Sequence, residues 1–377
     1  MPSLKDFFLT TLNKLEHVVD SRTFYVKRSL NLLEPLMIQP YLGFGNQNKI
    51  TLQGRLLEAE GLESPEEGAS SWQNFKTMVH RYGSDEIPHA RIRATFRGRE
   101  QHVKTDGEGY FHLTFDNFDL PSSDEIWHQI DLELVDTIHE KQGEVKASGR
   151  IIIPQESEFG VISDVDDTIL VSHSADFVKK VQLTFLHNAK TRVPFEGVAS
   201  FYQALQKGSD QQQLNPIFYV SSSPWNLYDL LKHFCEAHEI PEGPFMLRDI
   251  GLTNKHFIRS SHEKHKVAQI TQIFDTFPDM KFILVGDSGQ KDPEIYEGLT
   301  EKYGDNILGI YIRDVTDDAR DREVREIAER VRQKGIEMIL ARDTLEAARH
   351  AADQQWVHSD CIDVVAERVQ RDQENNA

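Results

Sequence analysis

The spacing of hydrophobic positions near the N-terminus follows an α-helix. Within residues 3–20 the apolar side chains recur at helical intervals, which predicts an amphipathic helix carrying Leu4, Phe7, Phe8, Leu12, Leu15 and Val19. Its polar face mixes acidic and basic residues, whereas helices that lie on membranes usually carry Lys or Arg there. The mixed face therefore favours docking on the body of the protein over a membrane surface, within an N-terminal helical segment of residues 1–45.

The pattern then changes to a period of two over residues 46–154. Three alternating runs and one continuous apolar run follow one another along this segment, at 92–96, 111–115, 130–134 and 151–153. Alternation predicts strands with one buried face, and glycine-containing turn residues at 105–109 join two of them. We expect a small antiparallel β-sandwich that is interrupted by a long insertion at 59–90.

From residue 155 short continuous apolar runs replace the alternation. Four of them are separated by helical segments: Val161–Ile162, Ile217–Val220, Phe282–Val285 and Ile307–Ile312. Such runs fit strands that are buried on both faces of a parallel sheet. We predict an α/β domain over 155–355, with helices on both faces of its sheet and a last strand at Ile336–Leu340. A C-terminal helix and a polar tail are expected over 356–377.

Composition restricts the classes of function. The 377 residues are 39% hydrophobic and 27% charged, as in ordinary globular chains, and their net charge of −19 argues against nucleic-acid binding. The two cysteines, Cys235 and Cys361, fit neither a metal-binding spacing nor a disulfide framework, which favours a reducing compartment. We see no secretory signal and no apolar run near the ~20 residues of a membrane span, so a cytoplasmic location is expected.

The densest candidate chemistry lies at residues 159–170, with the sequence F-G-V-I-S-D-V-D-D-T-I-L. A short apolar run is followed by three carboxylates and a hydroxyl, those of Asp164, Asp166, Asp167 and Thr168. Carboxylates at the end of a buried strand repel one another, and their burial is costly unless a cation is present. Mg²⁺ with a phosphate ester is therefore the working hypothesis. A helix cap or a solvated loop is the alternative that this cluster alone leaves open.

Other motifs with acidic or phosphate-binding residues fit the chain less well. An EF-hand loop beginning at Asp164 would need Gly where Ile169 stands and Glu where Ala175 stands. The sequence contains neither the G-x-x-x-x-G-K-[ST] phosphate loop nor the G-x-S-x-G nucleophile elbow. A P-loop enzyme and an α/β-hydrolase are therefore not expected.

Polar residues follow several of the predicted parallel strands. Asp164, Ser221 and Asp287 come just after apolar runs, and sites in open α/β sheets form outside the carboxyl ends of the strands. Two helices are predicted to begin nearby, with Ser223 and Asp292 as N-caps before prolines. The first of them would direct its free N–H groups at the same edge, which favours an anion site.

Four motifs in this order resemble those of the haloacid dehalogenase (HAD) superfamily of phosphotransferases. They are D-V-D-D-T at 164–168, the strand that ends in Ser221, a helical lysine, and G-D-S-G-Q-K-D at 286–292. For the lysine, Lys266 fits the superfamily pattern H-K-x-x-x-I better than Lys264. The resemblance implies an HAD-like Rossmannoid fold for the parallel sheet.

Two longer stretches narrow the resemblance within the superfamily. Both are similar to phosphatidate phosphatases of the yeast actin-patch type, which are distant relatives of lipin. They are Y-V-S-S-S-P-W-N-L-Y at 219–228 and F-I-L-V-G-D-S-G-Q-K-D-P-E-I-Y at 282–296. The similarity covers about residues 158–315. The N-terminal helix and the C-terminal extension carry none of these motifs, so the resemblance implies nothing for them.

The resemblance implies a role for each motif residue. Asp164 would be the nucleophile that forms an aspartyl-phosphate, and Asp166 would serve as general acid and then general base. Ser221 would bind the phosphoryl oxygens with Thr168 as a supporting hydroxyl. Lys266 would offset the negative charge that the carboxylates share with the phosphate.

Magnesium is the cofactor that the resemblance implies. Its ligands would be the side chains of Asp164 and Asp287 and the backbone carbonyl of Asp166, because Mg²⁺ prefers a few carboxylates together with other oxygen ligands such as water and phosphate. Asp292 is open between ligating the metal and capping a helix. Asp167 is expected to be structural, since the superfamily accepts many residues at its position.

The expected substrate is a phospholipid. Residues 172–194 are few for a large cap domain, so we expect an open site that suits a bulky or membrane-embedded phosphate. The predicted activity is Mg²⁺-dependent hydrolysis of phosphatidate to diacylglycerol and phosphate, with peripheral membrane contact and no nucleic-acid partner. Two alternatives stay open: a lipid-binding module without turnover, and a phosphatase of a soluble metabolite or a phosphoprotein. The presence of both Asp164 and Asp166 argues against the first.

Overall fold

The computed structural model describes residues 33, 35–58, 86–116, 118–120, 125–140, 142–165, 195–211, 214–248 and 262–376. They fall into two compact units, one within Met1–Pro121 and Trp127–Ile153, the other within Ser122–Ile126 and Pro154–Ala377. The predicted helix within residues 3–20 lies outside the described residues, as does most of the predicted insertion. In the part of the chain that is described, no helix combines the length and the apolar character that a membrane span requires.

The first unit is an eight-stranded sheet in which the strands follow the order β1-β3-β2-β8-β7-β4-β5, with β6 paired to β3. Among these strands the pairs are antiparallel, apart from the parallel pair of β2 and β8. The bounds are β1 (Leu36–Pro40), β2 (Gly43–Gly45), β3 (Lys49–Glu58), β4 (Arg91–Phe96), β5 (Arg99–Lys104), β6 (Tyr110–Asp116), β7 (Trp127–Leu134) and β8 (Lys146–Ile152).

Alternating burial explains why these segments form strands. In β4 the side chains of Ile92, Ala94 and Phe96 are buried and the residues between them are more exposed, as a sheet with one core-facing side requires. The same alternation runs through β6 and β7. The predicted strands are thus confirmed, whereas their arrangement as a two-layer sandwich stays a prediction.

Strands β1 and β2 lie within the range 1–45, which was predicted to be a helical segment. Both pair with β3, with Leu36 opposite Glu58 and Phe44 opposite Thr51. They contain five and three residues, too few for a period of two to stand out in the sequence. Residues 36–45 therefore form part of the sheet unit.

The second unit is a mixed α/β unit with a six-stranded sheet in the order β11-β10-β9-β12-β13-β14. Each neighbouring pair is parallel. The strands are β9 (Gly160–Asp164), β10 (Ile217–Pro224), β11 (Phe245–Arg248), β12 (Phe282–Asp287), β13 (Ile307–Arg313) and β14 (Glu337–Ala341). The helices are α1 (Val198–Lys207), α2 (Tyr228–Ala237), α3 (His262–Thr276), α4 (Asp292–Tyr303), α5 (Asp318–Arg332), α6 (Thr344–Asp353) and α7 (Cys361–Asn376), with 3₁₀ turns at Trp225–Leu227 and Gly304–Asn306.

Strand β9 is the topological switch point of the sheet, because the strands that follow it in the chain first add on one side of it (β10, β11) and then on the other (β12, β13, β14). β10 pairs with one edge of β9 and β12 pairs with the other. In open α/β sheets such a point leaves a crevice outside the carboxyl ends of the strands, where ligands bind. The predicted parallel strands are confirmed, and their order brings the ends of β9, β10 and β12 together.

Two features of this unit differ from the sequence prediction. The four-residue strand β11 was missed, because so short a run resembles a loop between helices. The polar end of the chain is also helical, since α7 continues to Asn376. Its Asp372 is 9% exposed and accepts a hydrogen bond from the Gly197 N–H at 2.9 Å, so the tail helix has a fixed contact with the start of α1.

Candidate active site

Strand β9 holds Asp164 at its carboxyl end, in the middle of the sheet. All five residues of the strand are buried, and Asp164 is only 1% exposed. The backbone of Asp164 pairs with that of Val220 in strand β10, and the next residue, Val165, donates a hydrogen bond of 3.1 Å from its N–H to the Val220 carbonyl. On the other side, the Ser163 hydroxyl lies 2.7 Å from the Tyr202 hydroxyl of α1. A carboxylate is thus held in a buried position that requires positive charge nearby.

A second carboxylate, Asp287, ends strand β12 and is 0% exposed. Its Oδ1 accepts hydrogen bonds from the N–H groups of Gly289 at 2.7 Å and Gln290 at 2.9 Å. Two backbone donors to one carboxylate oxygen orient the side chain. The loop that follows β12 therefore presents a fixed negative charge to the crevice.

The third carboxylate is Asp292, and its position differs from the predicted N-cap. Lys291 is the N-cap of α4 and makes no side-chain capping bond, while Asp292 is the first helical residue and is 0% exposed. Its Oδ2 accepts the Asp287 N–H at 3.2 Å. A Cβ at Gly286 would collide with the Asp292 carboxyl group, so glycine at that position permits the close approach. The Asp292 side chain is directed at the other carboxylates and does not cap its helix.

These three buried side chains form one group. Asp164, Asp287 and Asp292 each offer a carboxylate oxygen, and the three oxygens lie within 4.8 Å of one another. Lys266 contacts two of the carboxylates, with its Nζ 2.7 Å from Asp164 Oδ1 and within hydrogen-bonding distance of Asp292 Oδ1. The structure therefore brings together residues that are far apart in the sequence.

Helix α3 places Lys266 in the group. One turn further along, the Gln269 amide donates hydrogen bonds to the carbonyls of Met246 at 2.6 Å and Leu247 at 3.0 Å, which ties α3 to strand β11. Lys266 is 6% exposed, whereas Lys264 is exposed to solvent. Burial lowers the pKa of the Lys266 ammonium, but Asp164 and Asp292 outweigh burial and raise that pKa above its ordinary value. Lys266 is therefore a permanent positive charge in the site.

The donor set of this group fits Mg²⁺. Three buried carboxylates lie together in this group, and Lys266 contacts two of them. Burial of excess negative charge is costly, and a divalent cation would remove the cost. Oxygen-only ligands at the ends of two neighbouring strands and at the start of α4 suit a hard cation such as Mg²⁺.

Strand β10 pairs with β9 and carries Ser221 at the same edge of the sheet as Asp164, but the α-helix expected after it begins later. Ser221 is fully buried and follows Val220, the pairing partner of Asp164. β10 continues to Pro224, and α2 begins only at Tyr228 after a 3₁₀ turn. Ser223 is therefore not an N-cap, and its N–H donates to Ser221 Oγ at 2.9 Å. The register of β10 against β11 shifts between Val220 and Pro224, and the helical segment begins with the 3₁₀ turn at Trp225. The anion site expected at this helix start stays a prediction.

Three sequence-predicted residues of the first motif cannot be placed. Asp166, Asp167 and Thr168 lie outside the described residues. Their assigned roles rest on the motif.

The structure adds two residues that the motif analysis did not single out. Gln290 places its amide Nε2 3.5 Å from Asp164 Oδ2, and it was hidden within the G-D-S-G-Q-K-D sequence. Arg320 of α5 binds the loop after β12 through main-chain carbonyls. No sequence signal distinguished Arg320, because it lies in a helix in which charged residues dominate.

Residues 159–314 match the family model described as "Phosphatidate phosphatase APP1, catalytic domain". This segment is similar to a phosphatidate phosphatase catalytic domain. It contains Asp164, Ser221, Lys266, Asp287 and Asp292. The resemblance that the motifs predicted is thus confirmed for the segment.

Two fungal relatives match the chain over different lengths. Phosphatidate phosphatase APP1 of Saccharomyces cerevisiae is 36% identical over 155 residues, which are 41% of this chain and 25% of that protein. An uncharacterised protein of Schizosaccharomyces pombe is 26% identical over 242 residues, 62% of this chain and 39% of that protein. The matched part is therefore well under half the length of either relative.

Similarity to solved structures is weak. A carbohydrate acetylesterase from Xanthomonas citri aligns over 77% of this chain and 72% of its own, with 12% identity and a TM-score of 0.24. A bacterial ice-binding adhesin aligns over 37% of this chain and 41% of its own, with 9% identity and a TM-score of 0.19. Scores this low carry no argument about fold or function.

Proposed function

We propose that residues 159–314 form an HAD-type, Mg²⁺-dependent phosphatase that hydrolyses phosphatidate to diacylglycerol and phosphate. The observation that carries the proposal is the buried group of Asp164, Asp287, Asp292 and Lys266 at the carboxyl ends of parallel strands. Support for the substrate comes from the similarity of the same segment to a phosphatidate phosphatase catalytic domain.

The first step would transfer the phosphoryl group to the protein. A carboxylate oxygen of Asp164 attacks phosphorus, and the bond between phosphorus and the ester oxygen breaks. Asp166, assigned from the motif, gives its proton to the departing oxygen, so that diacylglycerol leaves as a neutral alcohol. The product on the protein is an aspartyl-phosphate at Asp164.

The second step would return Asp164 to its starting state. A water molecule attacks phosphorus and gives a proton to Asp166, and the bond between phosphorus and the Asp164 oxygen breaks to release phosphate. Ser221 and Thr168 would hydrogen-bond the phosphoryl oxygens in both steps. Lys266, kept cationic by the neighbouring carboxylates of Asp164 and Asp292, would offset the charge that develops on those oxygens.

Mg²⁺ would be held by the carboxylates of Asp164, Asp287 and Asp292, with the backbone carbonyl of Asp166 as a further ligand implied by the motif. When bound, the ion supplies electrostatic stabilisation of the negative phosphoryl oxygens. The three described carboxylates would then no longer repel one another, since the ion supplies the charge that Lys266 alone does not.

The test is phosphate release by the purified chain from a matched set of substrates. The set contains phosphatidate in detergent micelles, glycerol 3-phosphate as the same headgroup without acyl chains, and a phosphoserine peptide. We expect release that requires Mg²⁺, stops with EDTA and has its highest kcat/KM for phosphatidate. Preference for glycerol 3-phosphate or for the peptide would overturn the substrate assignment while keeping the chemistry.

The non-catalytic alternative has its own measurement. A lipid-binding module would sediment with vesicles that contain phosphatidate and would release no phosphate from them. That result, obtained with Mg²⁺ present, would overturn the proposed enzyme activity.

A further inference from the structure

We propose that Arg320 is a positioning residue that holds the loop after β12 in the conformation in which Asp287 can bind the metal. The inference rests on the proposed Mg²⁺ site. Arg320 lies beyond residues 159–314, so the segment with the family similarity does not include it.

Arg320 reaches the loop from helix α5. Its side chain is 17% exposed, and its Nε donates to the Ser288 carbonyl at 3.0 Å while Nη2 donates to the Gln290 carbonyl at 3.0 Å. These two carbonyls lie on either side of Gly289. One guanidinium group therefore fixes the loop at two points of its main chain.

The peptide bond between Ser288 and Gly289 joins this contact to the site. Its carbonyl accepts from Arg320, and its N–H donates to Asp287 Oδ1 at 2.7 Å. Because a peptide unit is planar, fixing the carbonyl also fixes the direction of the N–H. A cationic donor on the carbonyl polarises the unit and makes the N–H a stronger donor. Arg320 thereby acts on Asp287 without touching it.

The guanidinium is itself held on the side away from the loop. Nη1 and Nη2 each lie 2.8 Å from a carboxylate oxygen of Glu294 in the first turn of α4, and Nη1 lies 3.0 Å from Glu323 Oε2. A planar fork with five N–H donors can serve two carboxylates and two carbonyls together, whereas a lysine ammonium cannot. The geometry points to a requirement for arginine at this position.

The loop has a second support, which limits the expected effect. The Ser288 N–H donates to the Arg313 carbonyl at 2.8 Å, and the Ser288 hydroxyl lies 2.8 Å from the Thr316 hydroxyl. Removal of Arg320 should therefore loosen the loop and leave the fold intact. Changes to groups that orient a metal ligand typically weaken metal binding by about 10–100-fold, and we expect the lower end of this range.

Arg330 offers a matched control on the same helix. Its Nε and Nη2 lie 2.5 Å and 3.0 Å from the two carboxylate oxygens of Glu297, so it also joins α5 to α4 by a two-point ion pair. Its hydrogen bonds go to Glu297, and none goes to the loop at 288–291. Loss of Arg330 removes a comparable bridge between the helices without the contact that the proposal invokes.

The experiment measures Mg²⁺ binding to the full chain by titration calorimetry, which does not depend on turnover. We expect Arg320→Ala and Arg320→Lys to raise the Kd for Mg²⁺ by about tenfold and Arg330→Ala to leave it unchanged. The lysine variant keeps the positive charge, so it still tests the proposal if the alanine variant does not fold. A Kd for both Arg320 variants equal to that of the wild type would overturn the inference.

Amide hydrogen exchange without metal separates this inference from the proposed function. The peptide that covers residues 286–292 should exchange faster in Arg320→Ala than in the wild type or in Arg330→Ala. If the wild-type chain binds no Mg²⁺, the proposed metal site fails, and the exchange rates still decide whether Arg320 holds the loop. Equal exchange in Arg320→Ala and Arg330→Ala would contradict its positioning role.

Discussion

Two aspartates, one in each unit, accept the same kind of local hydrogen bonds in opposite environments. Asp106 in the sheet unit accepts backbone N–H groups two and four residues further on, at 2.8 Å and 2.9 Å. Asp287 in the α/β unit accepts those two and three residues further on, at 2.7 Å and 2.9 Å. Asp106 is exposed, whereas Asp287 is fully buried beside Asp164 and Asp292.

The comparison shows that turn chemistry alone does not indicate a site. T-D-G-E-G around Asp106 and G-D-S-G-Q around Asp287 are similar as sequences, and both side chains satisfy backbone donors in a turn. The two aspartates differ in their burial and in the residues that the fold places next to each carboxylate. Asp287 ends a strand that is buried on both faces, next to the strand of Asp164, and Asp106 lies in a solvent-facing turn.

Among the paired substitutions, one in each unit, the largest effect is expected at these two aspartates. Each substitution replaces a carboxylate by a neutral amide and keeps one oxygen that can accept the hydrogen bonds of the turn. Asp287→Asn removes the negative charge of a proposed metal ligand, whereas Asp106→Asn removes a charge outside the proposed site. We expect phosphate release to fall by about 100-fold or more for Asp287→Asn and to be unchanged for Asp106→Asn. Initial rates at saturating Mg²⁺ measure both. Equal rates for the two variants would remove the functional distinction between the aspartates.

A second comparison concerns a lysine in each unit. Lys266 is buried between Asp164 and Asp292, whereas Lys146 pairs with Glu144 at the surface. Lys266→Met leaves buried carboxylates without their cation, and we expect it to lower the free energy of unfolding by about 3–5 kcal/mol in EDTA. Lys146→Met should leave the unfolding midpoint unchanged, because exposed pairs contribute little.

Urea unfolding in EDTA and in excess Mg²⁺ checks the lysine prediction. Mg²⁺ should restore part of the stability lost in Lys266→Met, since it supplies positive charge to the same carboxylates. A Lys266→Met chain as stable as the wild type in EDTA would show that the three carboxylates do not depend on this cation.

The smallest effect of the paired substitutions concerns the glycine next to each aspartate, Gly286 before Asp287 and Gly107 after Asp106. A Cβ at Gly286 would collide with the Asp292 carboxyl group, whereas nothing lies within 4 Å of a Cβ at Gly107. Gly286→Ala should displace Asp292 and weaken Mg²⁺ binding by about tenfold. Gly107→Ala should change neither Mg²⁺ binding nor phosphate release. Calorimetric titration compares the two, and unaltered binding in Gly286→Ala would exclude Asp292 from the metal site.

The strand ends could be predicted from the sequence because their signal is local. Short apolar runs followed by Asp164, Ser221 and Asp287 indicated buried parallel strands with polar ends, and β9, β10 and β12 contain these runs. Strand β11 and the strands before residue 46 were missed, since three to five residues carry too little pattern.

Contacts between distant residues could not be predicted in this way. An aspartate before a proline fits an N-cap as well as a ligand, so the sequence left Asp292 open until its contacts with Lys266 and Asp287 were seen. Arg320 is one of several arginines on α5, and only its position over the Ser288 carbonyl distinguishes it. Such roles depend on packing between elements, which a pattern along one helix does not contain.

The most direct test of the central claim is phosphate release by Asp164→Asn beside the wild type, on the same phosphomonoesters with Mg²⁺. The substitution keeps the shape of the side chain and removes the proposed nucleophile. We predict that the wild type releases phosphate and that Asp164→Asn is slower by at least about 1,000-fold, with circular dichroism confirming a folded chain. Equal activity of the two proteins, or silence of both on every substrate, would contradict the claim that the buried group of Asp164, Asp287, Asp292 and Lys266 is a phosphatase site.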